Sequence, residues 1–150
     1  MLLNIGPKPD GTIPEEDKNL LEGIGNWLNV NGEAIFETDT WDQYGEGPIK
    51  MNEAGPFSDN RAKVIYTAKD FRFTTKDNFL YATGLGWPSK DFTIESMHKL
   101  FDNEIERVEL LGSNDKVEWK HTRDGLHITR PDNKPCEHAY SFKITRKEYL

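Results

Sequence analysis

Two hydrophobic periods divide the chain. Between Ile13 and Val30, the residues Leu20, Leu21, Ile24, Trp27 and Leu28 recur at helical spacing and form one apolar stripe. Glu15, Glu16, Asp17, Lys18, Glu22 and Asn26 fill the opposite side. The spacing predicts a helix over 13–30, with its acids at the positive end of the helix dipole. Thr12-Ile13-Pro14-Glu15 reads as a capping box, and Asn31-Gly32 as a stop with a left-handed residue at the C-cap. Ahead of the helix, Leu2, Leu3 and Ile5 make a short apolar run, the pattern of a strand buried on both faces. Gly6-Pro7 breaks it, and Pro9-Asp10-Gly11 is turn chemistry. A strand feeding a helix is half of a βαβ repeat, and a parallel strand needs parallel neighbours. The expectation is that the chain is the tail of a larger α/β protein.

From residue 63 the period changes to two. Phe71–Thr74, Phe79–Gly84, Phe92–Ile94, Ile105–Leu111, Val117–Thr122, Leu126–Thr129 and Ala139–Thr145 each read as a short strand. Turn residues separate them at regular spacing, which predicts an antiparallel β-sandwich. Val64-Ile65-Tyr66 is a short apolar run that fits a turn of helix. Asp124-Gly125 is the strongest hairpin signal. A two-residue loop there pairs Arg123 with Leu126, Thr122 with His127 and His121 with Ile128. Val117, Trp119, His121, Leu126 and Ile128 then share the core face. Glu118, Lys120, Thr122, His127 and Thr129 share the wet face. Between the two patterns, Glu33–Thr38 reads as extended. Residues 39–61 are rich in Gly, Pro, Asn and acids, punctuated by Trp41, Tyr44, Ile49, Met51 and Phe57. Such spaced aromatics predict an ordered linker, because disordered segments are poor in them.

Composition narrows the function classes. The formal net charge of −7 is uneven: residues 1–39 hold eight acids against two bases, and residues 63–150 fourteen against fifteen. The acidic excess therefore belongs to the helix, where it is read as a solvated face. No basic stripe marks a nucleic-acid partner. No apolar run reaches the roughly 20 residues of a membrane helix. The one cysteine, Cys136, excludes an internal disulfide and is read as a buried structural thiol. The start of the sequence has no signal-peptide pattern, which says nothing of compartment if the chain is a tail.

No constellation points to catalysis within the chain. His121 and His127 are assigned to opposite faces, and the spacings of metal-binding motifs are missing, so no metal and no cofactor is expected. Glu15, Glu16 and Asp17 serve a helix start. Glu33 follows the helix stop, on what is the stability face of a barrel. Glu106 and Glu109 lie on the solvent side of a strand. No pair of carboxylates has a reason to meet in a cleft, so no catalytic residue is assigned. Asn4 is the one substrate-binding candidate, because ligands of α/β folds bind at the C-terminal ends of strands. Its simpler role is to order the Gly6-Pro7 turn. Trp41, Tyr44, Trp87 and Trp119 come from separate segments and are read as packing residues rather than a sugar platform. The Leu20–Leu28 stripe is a surface available for self-association.

Several longer segments resemble one family. Leu2-Leu3-Asn4-Ile5-Gly6-Pro7-Lys8-Pro9-Asp10-Gly11-Thr12-Ile13-Pro14, Gly25-Asn26-Trp27-Leu28 and Asn31-Gly32-Glu33-Ala34-Ile35-Phe36 resemble the end of the catalytic domain of family 29 glycoside hydrolases, the α-L-fucosidases. Trp41-Asp42-Gln43-Tyr44-Gly45-Glu46-Gly47-Pro48, Asp70–Thr74, Leu85-Gly86-Trp87-Pro88 and Val108–Ser113 are similar to that family's linker and C-terminal domain. Phe36 stands where the family often has tyrosine. The resemblance implies a mixed fold. Residues 1–39 would be the last strand and helix of a (β/α)8-like barrel, 40–62 the ordered linker and 63–150 the C-terminal β-sandwich. It implies retaining hydrolysis of terminal α-L-fucosyl residues from glycans by the parent enzyme. The catalytic carboxylates would lie on earlier strands, and the parent would be secreted, periplasmic or lysosomal. A stand-alone carbohydrate-binding sandwich is the alternative.

Overall fold

The computed structural model describes residues 4–49, 65–100 and 103–147. In chain order the described residues form helix α1 (Glu15–Asn31), a 3-10 turn (Gly32–Ala34) and strands β1 (Asp39–Glu46), β2 (Phe71–Lys76), β3 (Phe79–Gly84), β4 (Phe92–Ile94), β5 (Ile105–Leu110), β6 (Trp119–Thr122), β7 (Gly125–Ile128) and β8 (Tyr140–Arg146). All pairings are antiparallel. A five-stranded sheet runs β1-β2-β3-β8-β5, and a three-stranded sheet runs β4-β7-β6. Buried side chains of both sheets form one apolar cluster, so the strands make an antiparallel β-sandwich.

Period-two alternation aims the side chains. Phe73 pairs with Ala82, Ala82 with Phe142 and Phe142 with Leu110, making one apolar row across four strands on the inner face. The neighbouring row on the outer face is Thr74, Tyr81, Lys143 and Glu109. That outer row grips the 3-10 turn that follows α1. The Thr74 hydroxyl donates to the Ala34 carbonyl at 2.7 Å, and the Tyr81 hydroxyl to the Glu33 carboxylate at 2.9 Å. Lys143 ion-pairs with the same carboxylate. Nearer the helix, Trp27 Nε1 donates to the Ala139 carbonyl at 2.8 Å. The outer face of the sheet is thus covered: Tyr81 and Ser141 are as buried as core residues.

The helix ends differ from expectation. No capping box forms. Asp10 Oδ1 accepts from both the amide (3.0 Å) and the hydroxyl (2.7 Å) of Thr12. Pro14, extended at ψ 140°, is the N-cap and has no side-chain cap. With Ile13 and Pro14 outside the helix, Thr12 lies too far back to cap it. At the other end Gly32 is right-handed (φ −58°, ψ −28°), and the chain tightens into the 3-10 turn. Glycine is needed here for space, since a Cβ would meet the Phe36 ring at 2.9 Å. Glu33–Thr38 is therefore a turn and not extended, and the left-handed residue is Glu37 (φ 57°).

The stretch expected as linker begins with a strand. β1 is an edge strand paired to β2, with an irregularity between Thr40 and Gly45, and Trp41 meets Phe73 edge-on at 5.2 Å. Met51, Phe57 and Val64 lie outside the described residues, as do Leu2 and Leu3 of the expected opening strand. Asn4 and Ile5 belong to no strand, and Ile65 and Tyr66 form no helical turn.

The β6–β7 hairpin is shifted by two residues from the predicted pairing. His121 faces Leu126 and Thr122 faces Gly125, so the turn is Arg123-Asp124. Gly125 lies in the strand because β4 crowds it. Its φ is +138°, and a Cβ would meet the Ile94 carbonyl oxygen at 2.4 Å. A shift of two keeps every side chain on its predicted face. Leu126 and Ile128 are in the core, Trp119 packs at its margin, and Glu118, Lys120 and Thr129 are exposed.

Candidate functional site

The chemistry-bearing groups concentrate at the seam between α1 and the five-stranded sheet. Glu33 is its centre. Burial by itself would raise this carboxyl, but the Lys143 ammonium and the Tyr81 hydroxyl, with Lys76 beyond, hold it below the usual range. Burial, then the charge of Glu33, pushes the Tyr81 phenol well above its ordinary value. Lys143 also lies over the Phe79 ring, 4.1 Å from its centre. Deeper in, the fully buried Asn31 donates to the Trp27 carbonyl (3.3 Å) and to Cys136 Sγ (3.4 Å). The Cys136 thiol donates to the Ala139 carbonyl at 3.0 Å, so it is a half-buried clip between helix and β8. No periodicity signals this lock: Asn31 looks like a helix stop, and Cys136 lies in a turn.

Other carboxylates are committed to local structure. Glu46 accepts from the amides of Glu95 (3.1 Å) and Ser96 (2.6 Å), tying β1 to the loop after β4. Asp70 is fully buried and accepts from the amides of Ile49 (3.0 Å) and Thr67 (2.8 Å) and from the Thr67 hydroxyl (2.7 Å). Glu104 accepts from the Leu100 amide, and Glu109 pairs with Arg107 at 2.7 Å. Glu106 is exposed. A held carboxylate of this kind ties a loop; it is not presented to a substrate.

The histidines separate as expected. His121 faces inward with Nε2 2.9 Å from the Met97 carbonyl, while His127 faces outward between the hydroxyls of Thr93 and Thr122, 2.8 Å from each. Among the described residues no group of three His, Cys, Asp or Glu is placed to hold a metal. Trp41, Trp87 and Trp119 pack against the core, and Trp87 stands edge-on to Tyr140 at 4.8 Å, whereas Tyr44, expected to pack, is 66% exposed. Asn4 is exposed and followed by an exposed turn through Gly11. No helix of the described residues is long and apolar enough to cross a membrane.

These features define a β-sandwich whose outer face clamps the 3-10 turn that closes a helix. Residues 59–145 match the family described as the α-L-fucosidase C-terminal domain, and residues 1–33 match α-L-fucosidase. The chain belongs to the α-L-fucosidase C-terminal domain family. It is 31% identical over 150 residues to plasma α-L-fucosidase of Pongo abelii, covering 97% of this chain and 28% of that protein. Tissue α-L-fucosidase of Rattus norvegicus gives the same identity and coverage. Among solved structures an α-L-fucosidase superposes with a TM-score of 0.69 at 25% identity, over 97% of this chain and 29% of its own. The Thermotoga maritima α-fucosidase shares the fold, with a TM-score of 0.66 at 24% identity over 96% of this chain and 30% of its own. The chain thus spans under a third of the length of the curated relatives it matches.

Proposed function

We propose that the chain acts as the C-terminal part of a retaining α-L-fucosidase, an enzyme that removes terminal α-L-fucosyl residues from glycans. The observation that carries this is the tandem match, α-L-fucosidase over 1–33 and its C-terminal domain over 59–145, along one continuous chain. In this reading residues 1–33 continue the catalytic barrel, supplying its last strand and helix. The sandwich is a buttress, and the row Thr74–Tyr81–Lys143 is the clamp joining the two. The boundary falls near Asp39, where β1 joins the sheet. Asn4, on the exposed segment before α1, is the residue of this chain that would approach the sugar.

Retaining hydrolysis needs two carboxyl groups about 5–5.5 Å apart. In this reading both come from the catalytic domain that the relatives carry; in the sandwich, Glu46, Asp70 and Glu104 are held by backbone amides and Glu109 by Arg107. A stand-alone carbohydrate-binding module is disfavoured because Trp41, Trp87 and Trp119, half-buried, pack on the core from separate segments. The test is an aryl α-L-fucoside. The 150-residue chain should release no phenol, whereas a full-length enzyme carrying it should do so with retention of configuration. Turnover by the chain alone that disappears on mutating Glu33 or Glu46 would overturn the reading.

A further inference from the structure

A pocket of about 270 Å³ opens at one end of the sandwich, where the loop after β5 faces the segment after β7. Its floor is Leu110, Val117 and Pro131. Leu110 and Val117 belong to the apolar core shared by the two sheets, so the pocket reaches that core. Its rim is polar, with Ser113 and Asp115 on one side and Thr129, Asp132 and Asn133 on the other. The two sides are tied together. The Ser113 hydroxyl accepts from the Asp115 amide at 3.1 Å, and Asn133 Nδ2 donates to Asp115 Oδ2 at 3.3 Å between the two segments. Gly112, left-handed at φ +78°, backs the loop against α1, where a Cβ would meet Val30 Cγ1 at 2.4 Å.

Three properties choose the ligand. The volume lies just below the roughly 300–1,000 Å³ of drug-sized sites, which leaves room for a single small ring. The two bases of the lining are committed elsewhere. Lys116 pairs with Glu118 at 3.0 Å, and Arg130 Nε donates to the Pro88 carbonyl at 2.8 Å, its guanidinium 5.9 Å from the centre of the Trp87 ring. The remaining rim groups are carboxylates, hydroxyls and an amide, which receive hydroxyl donors and repel anions. The apolar floor takes a ligand with one hydroxyl-free corner. We propose that this pocket binds one methyl-bearing pyranose, its methyl on Leu110 and Val117 and its hydroxyls on Ser113, Asp115 and Asn133. The proposal rests on the proposed function, in which that sugar is L-fucose, and it places in the sandwich a sugar site separate from the catalytic one.

The experiment titrates the isotope-labelled 150-residue chain and follows its amides by NMR. In the proposed function the catalytic carboxylates belong to the part of the relatives beyond this chain, so a sugar that the chain binds at the pocket is held by the sandwich. Millimolar L-fucose should shift the amides of 113–117 and 132–133 and leave those of Lys120 and His127 in place. D-Arabinose, the same ring without the methyl, should bind roughly fourfold more weakly, the value of one buried methyl group. Asn133→Ala should weaken fucose binding about tenfold with Tm unchanged; if that variant does not fold, Ser113→Ala makes the same comparison. No shift at the pocket, shifts on the Lys120 face instead, equal binding of the two sugars, or full affinity in the folded variant overturns the proposal. Calcium chloride that shifts these amides where fucose does not makes the pocket a cation site and overturns it too. Hydrolysis of an aryl α-L-fucoside by a full-length enzyme carrying the chain separates the two readings. An active enzyme whose chain binds no fucose removes the sandwich site alone. An inactive one whose chain binds fucose at these residues removes the buttress reading alone.

Discussion

The two faces of the five-stranded sheet are buried by different means. Phe142 and Ser141 are adjacent on β8, point to opposite sides, and are both 0% exposed. Phe142 enters the apolar core, meeting Tyr140 edge-on at 5.6 Å and Phe92 at 5.9 Å. Ser141 faces outward, where its hydroxyl is 2.9 Å from that of Thr83. The inner face is held by apolar area removed from water, which is non-directional. The outer face is held by donors and acceptors that must meet with defined geometry: Thr74, Tyr81 and Lys143 on Glu33 and Ala34. The inner face makes the sandwich stable; the outer face decides where the helix sits.

Truncation of the inner face should have the largest effect. Phe142→Ala should cost about 3–5 kcal/mol in urea unfolding, the range for a large core side chain replaced by alanine. A loss below about 1 kcal/mol would mean that the two sheets do not share one core.

Asp70 tests the same contrast through pH. Burial by itself would raise its carboxyl, but the Thr67 amide and hydroxyl, the Ile49 amide and the nearby Arg72 hold it below the usual range. A folded-state value below the unfolded one stabilises the protein above the unfolded value of about 3.9, and the stability is lost as pH falls through the folded value. The urea midpoint should therefore drop between neutral pH and about pH 3. Asp70→Asn should cost about 1–3 kcal/mol at neutral pH and flatten that drop. An unchanged slope would show that Asp70 is not the group responsible.

The outer clamp should respond more weakly. Tyr81→Phe should cost about 0.5–1.5 kcal/mol, at the lower end because Glu33 is half exposed and its partners are screened by solvent. A double-mutant cycle with Glu33→Gln should show coupling between the two, and strictly additive effects would break the clamp. Weakest of all, Lys120→Ala on the uncovered face of the small sheet should stay within about 0.5 kcal/mol. A larger loss would place that face against something.

What the sequence determined follows from short-range periodicity. Alternation over 71–84, 105–110 and 140–146 set the strands and their faces, because side chains of a strand alternate whatever it pairs with. The helical stripe of Leu20–Leu28 set α1 for the same kind of reason. The faces of the hairpin also survived a two-residue error in register, since only an odd shift exchanges them.

What the tertiary structure decided is where long-range neighbours compete with local preferences. Gly125 lies in a strand where the Ile94 carbonyl passes too close for a Cβ, and Gly32 stays right-handed with the Phe36 ring folded back on it. Asp10 takes the Thr12 hydroxyl that the capping pattern reserved for Glu15. β8, the last strand of the described residues, inserts between β3 and β5. Glu33 and Lys143 meet across 110 positions, and Asn31 and Cys136 across 105. Contacts of such separation leave no period in the sequence, because the pattern of each segment records only which face is buried and never which residue will cover it.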